Sequence, residues 1–250
     1  MTKKIATRLY LPAVLATGGT VALDAPQAHR LRNVLRLRSG DAVAAFNPRD
    51  GEFLSRIAEL ARSHGALAIE TRSRKPKPEA DLWLLFAPIK RARHDWLIEK
   101  ATELGVSAFV PVVTERTQPD RLNSERLAAH AVAAAEQSER LSVPEIREVL
   151  PLASVLANWP AARRLVVCDE TGGGTPIADA LAALAPGAPT ALIVGPEGGF
   201  TDRELDAFGN LPFVTRAGLG PRVLRAETAA LAALAVLQAI AGDWRGARAS

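Results

Sequence analysis

The sequence contains little sulfur, few histidines and no long uninterrupted apolar segment. Its single cysteine, Cys168, excludes an internal disulfide and favours a reducing compartment, so we expect a cytoplasmic protein. Four scattered histidines beside this one cysteine predict no metal site. No stretch reaches about 18 consecutive apolar residues, and the initial segment MTKKIATRLYLP lacks the apolar core and cleavage site of a signal peptide. We therefore expect neither a membrane span nor a secretory leader.

Aromatic residues are also scarce, at 5%, which argues against broad stacking platforms for single-stranded RNA. Positive charge, by contrast, is concentrated near the N-terminus. Residues 1–80 hold 14 lysines and arginines against 7 acidic residues, a balance of +7, whereas residues 81–250 hold 17 against 20, a balance of −3. Arginine, whose planar guanidinium suits phosphate, supplies 25 of the 31 basic residues. Codon preference in a GC-rich genome explains the arginine-to-lysine ratio equally well, but not the uneven distribution.

Two differently patterned regions flank the segment SRKPKPEAD, residues 73–81, which is rich in proline and charge. Before it, short apolar runs separated by turn residues predict a small β-barrel with one helix at PQAHRLRNVLR. After it, apolar strands alternate with helices, which predicts a mainly parallel sheet covered on both faces. We predict one domain over residues 1–72, a linker over 73–81 and an α/β domain over 82–245.

Two glycine-containing strand ends stand out in the second region: VGPEGGFT at 194–201 and RAGLGPRVLRAETAA at 216–230. Glycines let the backbone approach a ligand without an intervening Cβ. No Gly-Lys-Ser/Thr follows, and Gly218 and Gly220 are not followed by the third glycine of a dinucleotide fingerprint, so neither phosphate-loop type fits. We expect the two loops to form a slot for a flat heteroaromatic ring such as adenine, at the carboxyl ends of the strands.

The stretches IVGPEGGFTDRE and LGPRVLRAETAALAAL closely resemble the two signature motifs of the RsmE family. Other blocks similar to that family follow in the family's order over nearly the whole chain: HRLRNVLRLRSGD, KRARHDWLIEKATELGV, PVVTERT and AEQSERLSVPEI. The resemblance implies a SPOUT-class methyltransferase that uses S-adenosylmethionine to methylate N3 of a uridine in small-subunit (16S) ribosomal RNA. It also implies a PUA-like RNA-binding β-barrel before a C-terminal α/β domain tied in a trefoil knot.

The resemblance further assigns the cofactor to three loops of the knotted domain. The predicted cofactor-binding residues lie in two of these loops: Val194, Gly195, Pro196, Glu197, Gly198, Gly199, Leu219, Gly220, Arg222 and Leu224. The third loop follows RLVVCDE, where this chain has TGGGT after Glu170. That sequence does not match the family pattern, so no residue of this loop is assigned.

Arg225 and Glu197 are the predicted catalytic residues. Uracil N3 becomes nucleophilic only when its proton leaves, and the resulting charge spreads onto the flanking carbonyl oxygens, where an arginine stabilises it. Arg225 is the first choice, with Arg222 second; the alternative for Arg225 is a structural salt bridge to Glu197 or Glu227. Glu197 can orient Arg225, contact the cofactor or accept the N3 proton, or it is simply a solvated turn residue, so the general base stays unassigned.

Basic residues in both regions are candidates for RNA contact through phosphate, which positions RNA without reading its sequence. They are Arg8, Arg30, Arg32 and Arg36 near the N-terminus, and Lys90, Arg91 and Arg93 in KRARHD. A merely solvated basic patch is the alternative for KRARHD, and His94 belongs to that patch rather than to a catalytic set. Glu136 and Arg140 are spaced for an i,i+4 ion pair on one helix face.

Dimerisation is expected on two grounds. The segment AETAALAALAVLQAIAG is apolar almost all round and should be buried on more than one side, and SPOUT enzymes pair through such helices. We predict a two-fold homodimer with the helix over 226–241 at or near the interface.

Two other functions compete with uridine-N3 methylation: a knotted methyltransferase acting on a ribose 2′-hydroxyl or a tRNA base, and a non-catalytic RNA-binding ribosome assembly factor.

Overall fold

The structure, a computed structural model, describes residues 5–88, 91–117 and 122–245, apart from the side chains of residues 91 and 92. The chain forms two compact units, each described by itself below. Unit 1 contains the residues up to Pro78 together with Ala135–Val143, and unit 2 contains Glu79–Ala134 and the residues from Pro144 onward. The return of residues 135–143 to unit 1 has no counterpart in the sequence pattern.

Unit 1 is built on a five-stranded sheet in the order β1-β3-β4-β5-β2. Its strands are β1 Arg8–Tyr10, β2 Thr20–Leu23, β3 Ala42–Asn47, β4 Gly51–Leu60 and β5 Gly65–Arg74. Strands β1 and β3 are parallel and the other pairs are antiparallel. Because β1 and β2 end the order without pairing with each other, the predicted barrel is a partly open one.

A helical segment crosses unit 1 where the sequence predicts one. Helix α1, Ala25–His29, begins at a capping box formed by Asp24 and Gln27, and it continues into a π-helical turn over Arg30–Val34. Leu31 on this turn is fully buried and joins the apolar core of the sheet. The π-helical turn therefore anchors a basic segment to the barrel through one apolar side chain.

Unit 2 contains a parallel sheet in the order β11-β13-β10-β12-β6-β7-β8, with β9 paired to β7. Its strands are β6 Leu82–Phe86, β7 Ala108–Val113, β8 Glu145–Ile146, β9 Leu150–Pro151, β10 Arg164–Cys168, β11 Thr175–Pro176, β12 Thr190–Val194 and β13 Val214–Gly218. Every pairing among these strands is parallel, as predicted, although the two-residue strands were not foreseen. Every residue of β12 is buried, as expected for the middle of a sheet covered on both faces.

Helices follow the strands of unit 2 as the alternating pattern predicts. They are α2 Arg91–Glu103, α3 Ser124–Gln137, α4 Leu152–Ala157, α5 Ile177–Ala182, α6 Asp202–Gly209 and α7 Ala226–Ile240; the end of α3 belongs to unit 1. Only α4 was not predicted. The α/β class with a mainly parallel sheet is thus confirmed.

No helix in the described ranges has the length and apolarity that a membrane crossing needs, and those ranges hold no His/Cys/Asp/Glu group suited to a metal ion.

Candidate cofactor and substrate site

Three loops of unit 2 meet because β13, β10 and β12 are neighbours in the sheet and run in the same direction. The loops after their carboxyl ends enclose a pocket of about 370 Å³. It is lined by Arg93, Cys168, Glu170, Val194, Gly195, Pro196, Glu197, Gly199, Val223, Leu224, Arg225, Ala226 and Ala229. The two glycine-containing segments of the sequence therefore do face one another across a single pocket.

The Pro-Glu-Gly-Gly turn depends on Gly199 and on a carboxylate from another loop. Gly199 has φ +68°, and a Cβ there would lie 2.0 Å from Oε1 of Glu170. The same oxygen accepts a hydrogen bond from the backbone N–H of Phe200 at 2.8 Å. Any side chain at position 199 would take a strained backbone conformation and displace the Glu170 carboxylate.

Arg116 holds the same turn from its other side. Its Nη1 donates to the carbonyl oxygens of Gly198 at 2.8 Å and of Phe200 at 3.1 Å. Gly198, predicted to contact the cofactor, is not among the residues that line the pocket, and its carbonyl oxygen accepts from Arg116. Thr201 then begins α6 with a capping box to Glu204, which fixes where the turn ends.

A smaller cavity of about 40 Å³ lies beside the pocket and shares part of its lining, including Cys168 and Glu170. Of the predicted cofactor residues, it is lined by Leu219, Gly220, Arg222 and Leu224. Gly220 has φ +95°, and nothing lies within 4 Å of the position that a Cβ would take. The backbone of this loop is thus exposed to open space, as a cradle for a ligand requires.

The loop after β10 is held by a buried carboxylate. Oδ2 of Asp169 accepts from Nε and Nη2 of Arg216 on β13, and Oδ1 accepts from the N–H and hydroxyl of Thr171. Burial acts to raise the pKa of Asp169, but the bonds from Thr171 and Arg216 together lower it below its usual value. Asp169 therefore ties Thr171, the first residue of the TGGGT segment, to the neighbouring strand β13.

Cys168 lines both cavities, but its chemistry is not that of a nucleophile. Burial, assisted by the negative charge of Glu170, raises the pKa of the thiol to about 12. The side chain is therefore a neutral, weakly polar wall at neutral pH.

Charged side chains at the pocket edge are paired differently from what the sequence suggested. Arg225 is exposed and forms no side-chain hydrogen bond or ion pair with the described residues, so the predicted alternative of a salt bridge to Glu197 or Glu227 is wrong. Arg93 on α2 takes both partners instead. Its Nη1 lies 3.3 Å from Oε1 of Glu197, and its Nε lies 3.6 Å from Oε1 of Glu227.

The N-terminal arginines divide into bound and exposed ones. Arg8 donates to Glu52 at 2.7 Å and to the carbonyl oxygens of Ala135, Glu136 and Arg140, and its guanidinium lies 4.1 Å from the centre of the Phe46 ring. With its side chain only 12% exposed, Arg8 stabilises the interior of unit 1. This arrangement corrects the prediction that it contacts RNA.

Arg30 is also engaged, since it pairs with the buried carboxylate of Glu136. The other oxygen of Glu136 accepts a hydrogen bond from the N–H of Tyr10. Arg32 and Arg36 remain exposed, and neither forms a side-chain bond with the described residues. Arg36 moreover has φ +56°, an unfavourable backbone conformation for a residue with a side chain.

The basic segment KRARHD is only partly described. Lys90 lies outside the described residues, as does the side chain of Arg91. His94 is buried against the ring of Phe86, with centroids 5.8 Å apart, so its predicted place in a surface patch is wrong. Arg93 faces the pocket of unit 2 rather than standing free as a phosphate contact.

Sequence reasoning missed Glu170, Cys168 and Arg116 as parts of this site. Position offered a signal for the first two, because residues at the carboxyl end of a buried parallel strand face the ligand edge of the sheet. Arg116 offered none, since its role depends on backbone carbonyls more than 80 residues away in sequence.

Comparisons with known proteins agree with this geometry. Residues 75–238 match the RNA methyltransferase domain family, and residues 23–70 match the RNA methyltransferase PUA domain family. A ribosomal RNA small subunit methyltransferase E of Rickettsia conorii is 31% identical over 91% of this chain and 93% of its own length. One from Synechocystis is 33% identical over 94% of this chain and 78% of its own.

Among solved structures, a ribosomal RNA small subunit methyltransferase E from Neisseria gonorrhoeae, bound to S-adenosyl methionine, superposes with a TM-score of 0.84 at 29% identity. The match covers 95% of this chain and 99% of that one. The predicted fold class, a SPOUT α/β domain preceded by a PUA-like domain, is confirmed, and this chain belongs to the RNA methyltransferase family.

Proposed function

We propose that this protein transfers a methyl group from S-adenosylmethionine to N3 of a uridine in small-subunit (16S) ribosomal RNA. The observation that carries the proposal is the unpartnered Arg225 at the edge of a glycine-walled pocket. A guanidinium that no carboxylate of the described chain neutralises is available to a substrate anion. The relatives named for small-subunit rRNA methylation support the choice of RNA.

The lining of the two cavities supports the assignment of the cofactor to this site. Gly195 and Gly199 line the larger pocket and Gly220 lines the smaller cavity beside it, and Glu170 and Glu197 provide negative charge for a cationic ligand. Val194 and Leu224 add apolar surface to the lining of the larger pocket. The related protein crystallised with S-adenosyl methionine supports the same assignment.

When bound, S-adenosylmethionine supplies a methyl group whose leaving group is a neutral thioether. The protein has to position the uracil of the RNA and remove its N3 proton. Arg225, fixed at the N-cap of α7, would donate to a uracil carbonyl oxygen as negative charge develops there. Alignment of N3 by the pocket walls supplies a further part of the acceleration. Glu197, 47% exposed at the pocket edge, is a candidate for moving the proton to solvent.

Unit 1 would deliver the RNA. Of the arginines of unit 1 that are predicted to contact RNA, Arg32 and Arg36 are exposed. Arg30, paired with Glu136, keeps 41% of its side chain exposed. Contacts of this kind recognise phosphate and therefore position an RNA without reading its sequence.

We further propose that the protein works in the cytoplasm, where its ribosomal substrate is assembled.

We also propose a homodimer with α7 at or near its interface. Helix α7 packs on α2, α5 and β12, yet several of its apolar residues stay only half-buried, including Leu231, Ala232, Ala235 and Val236. A second copy would cover them. Light scattering at micromolar concentration tests this: a mass of twice 26.6 kDa supports the dimer, and a monomer contradicts it.

The function is tested by incubating the protein and S-adenosylmethionine with naked 16S RNA and, separately, with assembled small subunits. Methyl transfer to either, recovered as 3-methyluridine, supports the proposal and identifies the form of the substrate. Recovery of a 2′-O-methyl nucleoside would favour another RNA target. Failure to bind S-adenosylmethionine in calorimetry would favour the non-catalytic assembly factor.

A further inference from the structure

We propose that Arg93 is a second substrate-contacting arginine, held in place by Glu227, and that it stabilises one carbonyl oxygen of the reacting base while Arg225 stabilises the other. The proposal rests on the proposed uridine-N3 methylation. Sequence reasoning placed Arg93 among phosphate contacts and considered Glu227 only as a salt-bridge partner of Arg225.

The pocket offers two cationic side chains among its lining residues, Arg93 and Arg225. They come from different elements, the first turn of α2 and the N-cap of α7. A deprotonated uracil spreads its charge over two carbonyl oxygens, O2 and O4, on opposite sides of N3. Two directed donors fit this charge distribution better than one, because each can meet one oxygen where charge develops.

Glu227 has the features of an anchor for Arg93. It lies in the first turn of α7, where the helix N-terminus favours a carboxylate, and its side chain is only 12% exposed. Oε1 lies 3.6 Å from Nε of Arg93, whereas Oε2 is buried and has no hydrogen-bond partner in the described part of the chain. A buried carboxylate so poorly satisfied is costly unless it serves a cation, and Arg93 is the cation beside it.

The contact with Glu197 shows that Nη1 of the Arg93 guanidinium lies at the pocket wall. Nη1 of Arg93 donates to an anionic oxygen of Glu197 at the pocket wall, at 3.3 Å. Glu197 is about half exposed and sits on a turn, so it can yield that position to an incoming substrate oxygen. Glu227 cannot yield in the same way, because it is buried in a helix. Arg93 therefore keeps one partner and exchanges the other.

A phosphate contact does not fit this placement as well. The Arg93 side chain is 29% exposed, lines a pocket and is already paired with two carboxylates. The two roles also differ in what they respond to. Stabilising a base anion matters less when the base is already acidic, whereas a phosphate contact is indifferent to the acidity of the base.

The experiment compares single-turnover methylation of small-subunit RNA transcribed with uridine and with 5-fluorouridine, whose fluorine makes N3–H more acidic. For Arg93→Ala we expect a rate about 10²-fold below the wild type on uridine RNA and only a few-fold below it on 5-fluorouridine RNA. Affinity for S-adenosylmethionine, measured by calorimetry, should hardly change. Arg126→Ala is the matched control, since Arg126 also pairs with a carboxylate, Asp95, and is 34% exposed, but does not line the pocket.

Two further variants separate the proposed role from a failure to fold. Arg93→Lys keeps the charge without the planar fork and should give an intermediate rate. Glu227→Gln should lower the rate with the same dependence on base acidity, and the double variant with Arg93→Ala should be no slower than Arg93→Ala alone.

Equal rate reductions on the two RNAs would overturn the inference and return Arg93 to phosphate binding. A collapse of cofactor affinity would overturn it in favour of a structural role. If the wild-type protein makes no 3-methyl product on either RNA, the proposed function itself fails, which is a different result from either of these.

Discussion

The arginines of unit 1 and those of the pocket in unit 2 show the same residue used in opposite ways. Arg8 is enclosed by a carboxylate, three carbonyl oxygens and an aromatic ring. Arg225 lines a pocket and has no side-chain partner in the described chain. Nothing in the local sequence hints at this difference, because each residue lies beside ordinary small or apolar neighbours. The partners of an arginine, more than its position in a motif, indicate whether it holds the fold or meets a ligand.

The largest expected effect concerns stability, at Arg8. Arg8→Ala removes the closest cation from the buried carboxylate of Glu52, which keeps the Ser73 hydroxyl and Arg74 at 3.7 Å, and it removes one donor from each of three carbonyl oxygens. We expect it to lower the stability of unit 1 by about 3 kcal/mol, at the lower end of the range for broken buried pairs. Hydrogen exchange of the β1 and β3 amides measures this change. Arg32→Ala, an exposed control, should change it by less than about 0.5 kcal/mol. Equal effects of the two substitutions would erase the distinction between bound and exposed arginines.

The next effect concerns turnover, at Arg225. If this arginine stabilises charge only in the transition state, Arg225→Ala should lower turnover about 10²-fold or more. Cofactor affinity should change far less, since the Arg225 side chain forms no hydrogen bond that shapes the glycine loops. Steady-state kinetics and calorimetry separate the two quantities. A collapse of cofactor affinity with turnover preserved at saturation would make Arg225 a structural residue like Arg8.

A smaller effect is expected at Glu170, the carboxylate that supports the turn of the cofactor loop. Glu170→Ala removes the acceptor of the Phe200 N–H and should weaken binding of S-adenosylmethionine about tenfold, as expected for one hydrogen bond to a charged group. Glu170→Gln keeps an acceptor oxygen and should retain most of the affinity. Calorimetry on both variants measures their affinities for S-adenosylmethionine. If the glutamine variant binds as weakly as the alanine variant, the charge of Glu170 matters more than its hydrogen bond.

The smallest effect belongs to the exposed arginines of unit 1. Replacing Arg32 and Arg36 by serine should weaken RNA binding modestly and lower the slope of log affinity against log salt by roughly 0.7–0.9 for each phosphate interaction removed. Arg62→Ser, an exposed arginine elsewhere in unit 1, is the control. Substitution is a cleaner test than deleting residues 1–72, because deletion would strip residues 135–143 of their partners in unit 1. An unchanged slope would leave RNA recognition to unit 2.

Local sequence patterns predicted the main strands and helices, because a short apolar run favours a buried strand and a long one favours a helix. The strand β12 and the helix α7 are examples, since the runs TALIV and AETAALAALAVLQAI mark them directly. The strands β8, β9 and β11 were missed because two residues carry no periodic signal. The two glycine-containing segments that line the cavities could be singled out because both follow parallel strands, whose carboxyl ends meet at one edge of the sheet.

What the sequence could not provide was the pairing between distant residues. The pairing of Glu136 with Arg30, more than 100 residues away, could not be read from the local spacing of Glu136 and Arg140. Likewise, Arg93 contacts the two carboxylates that were considered as salt-bridge partners of Arg225. Such choices depend on which elements tertiary packing brings together, and local spacing contains no information about that.

The most direct test of the account is to identify the nucleoside that the wild-type protein and Arg225→Ala produce in small-subunit RNA at saturating S-adenosylmethionine. Mass spectrometry of the digested RNA should show 3-methyluridine made by the wild type and the same product made about 10²-fold more slowly by the variant. Methylation at a ribose hydroxyl or at another base, or an undiminished rate in the variant, would contradict the assignment of this pocket to uridine N3 and of Arg225 to its chemistry.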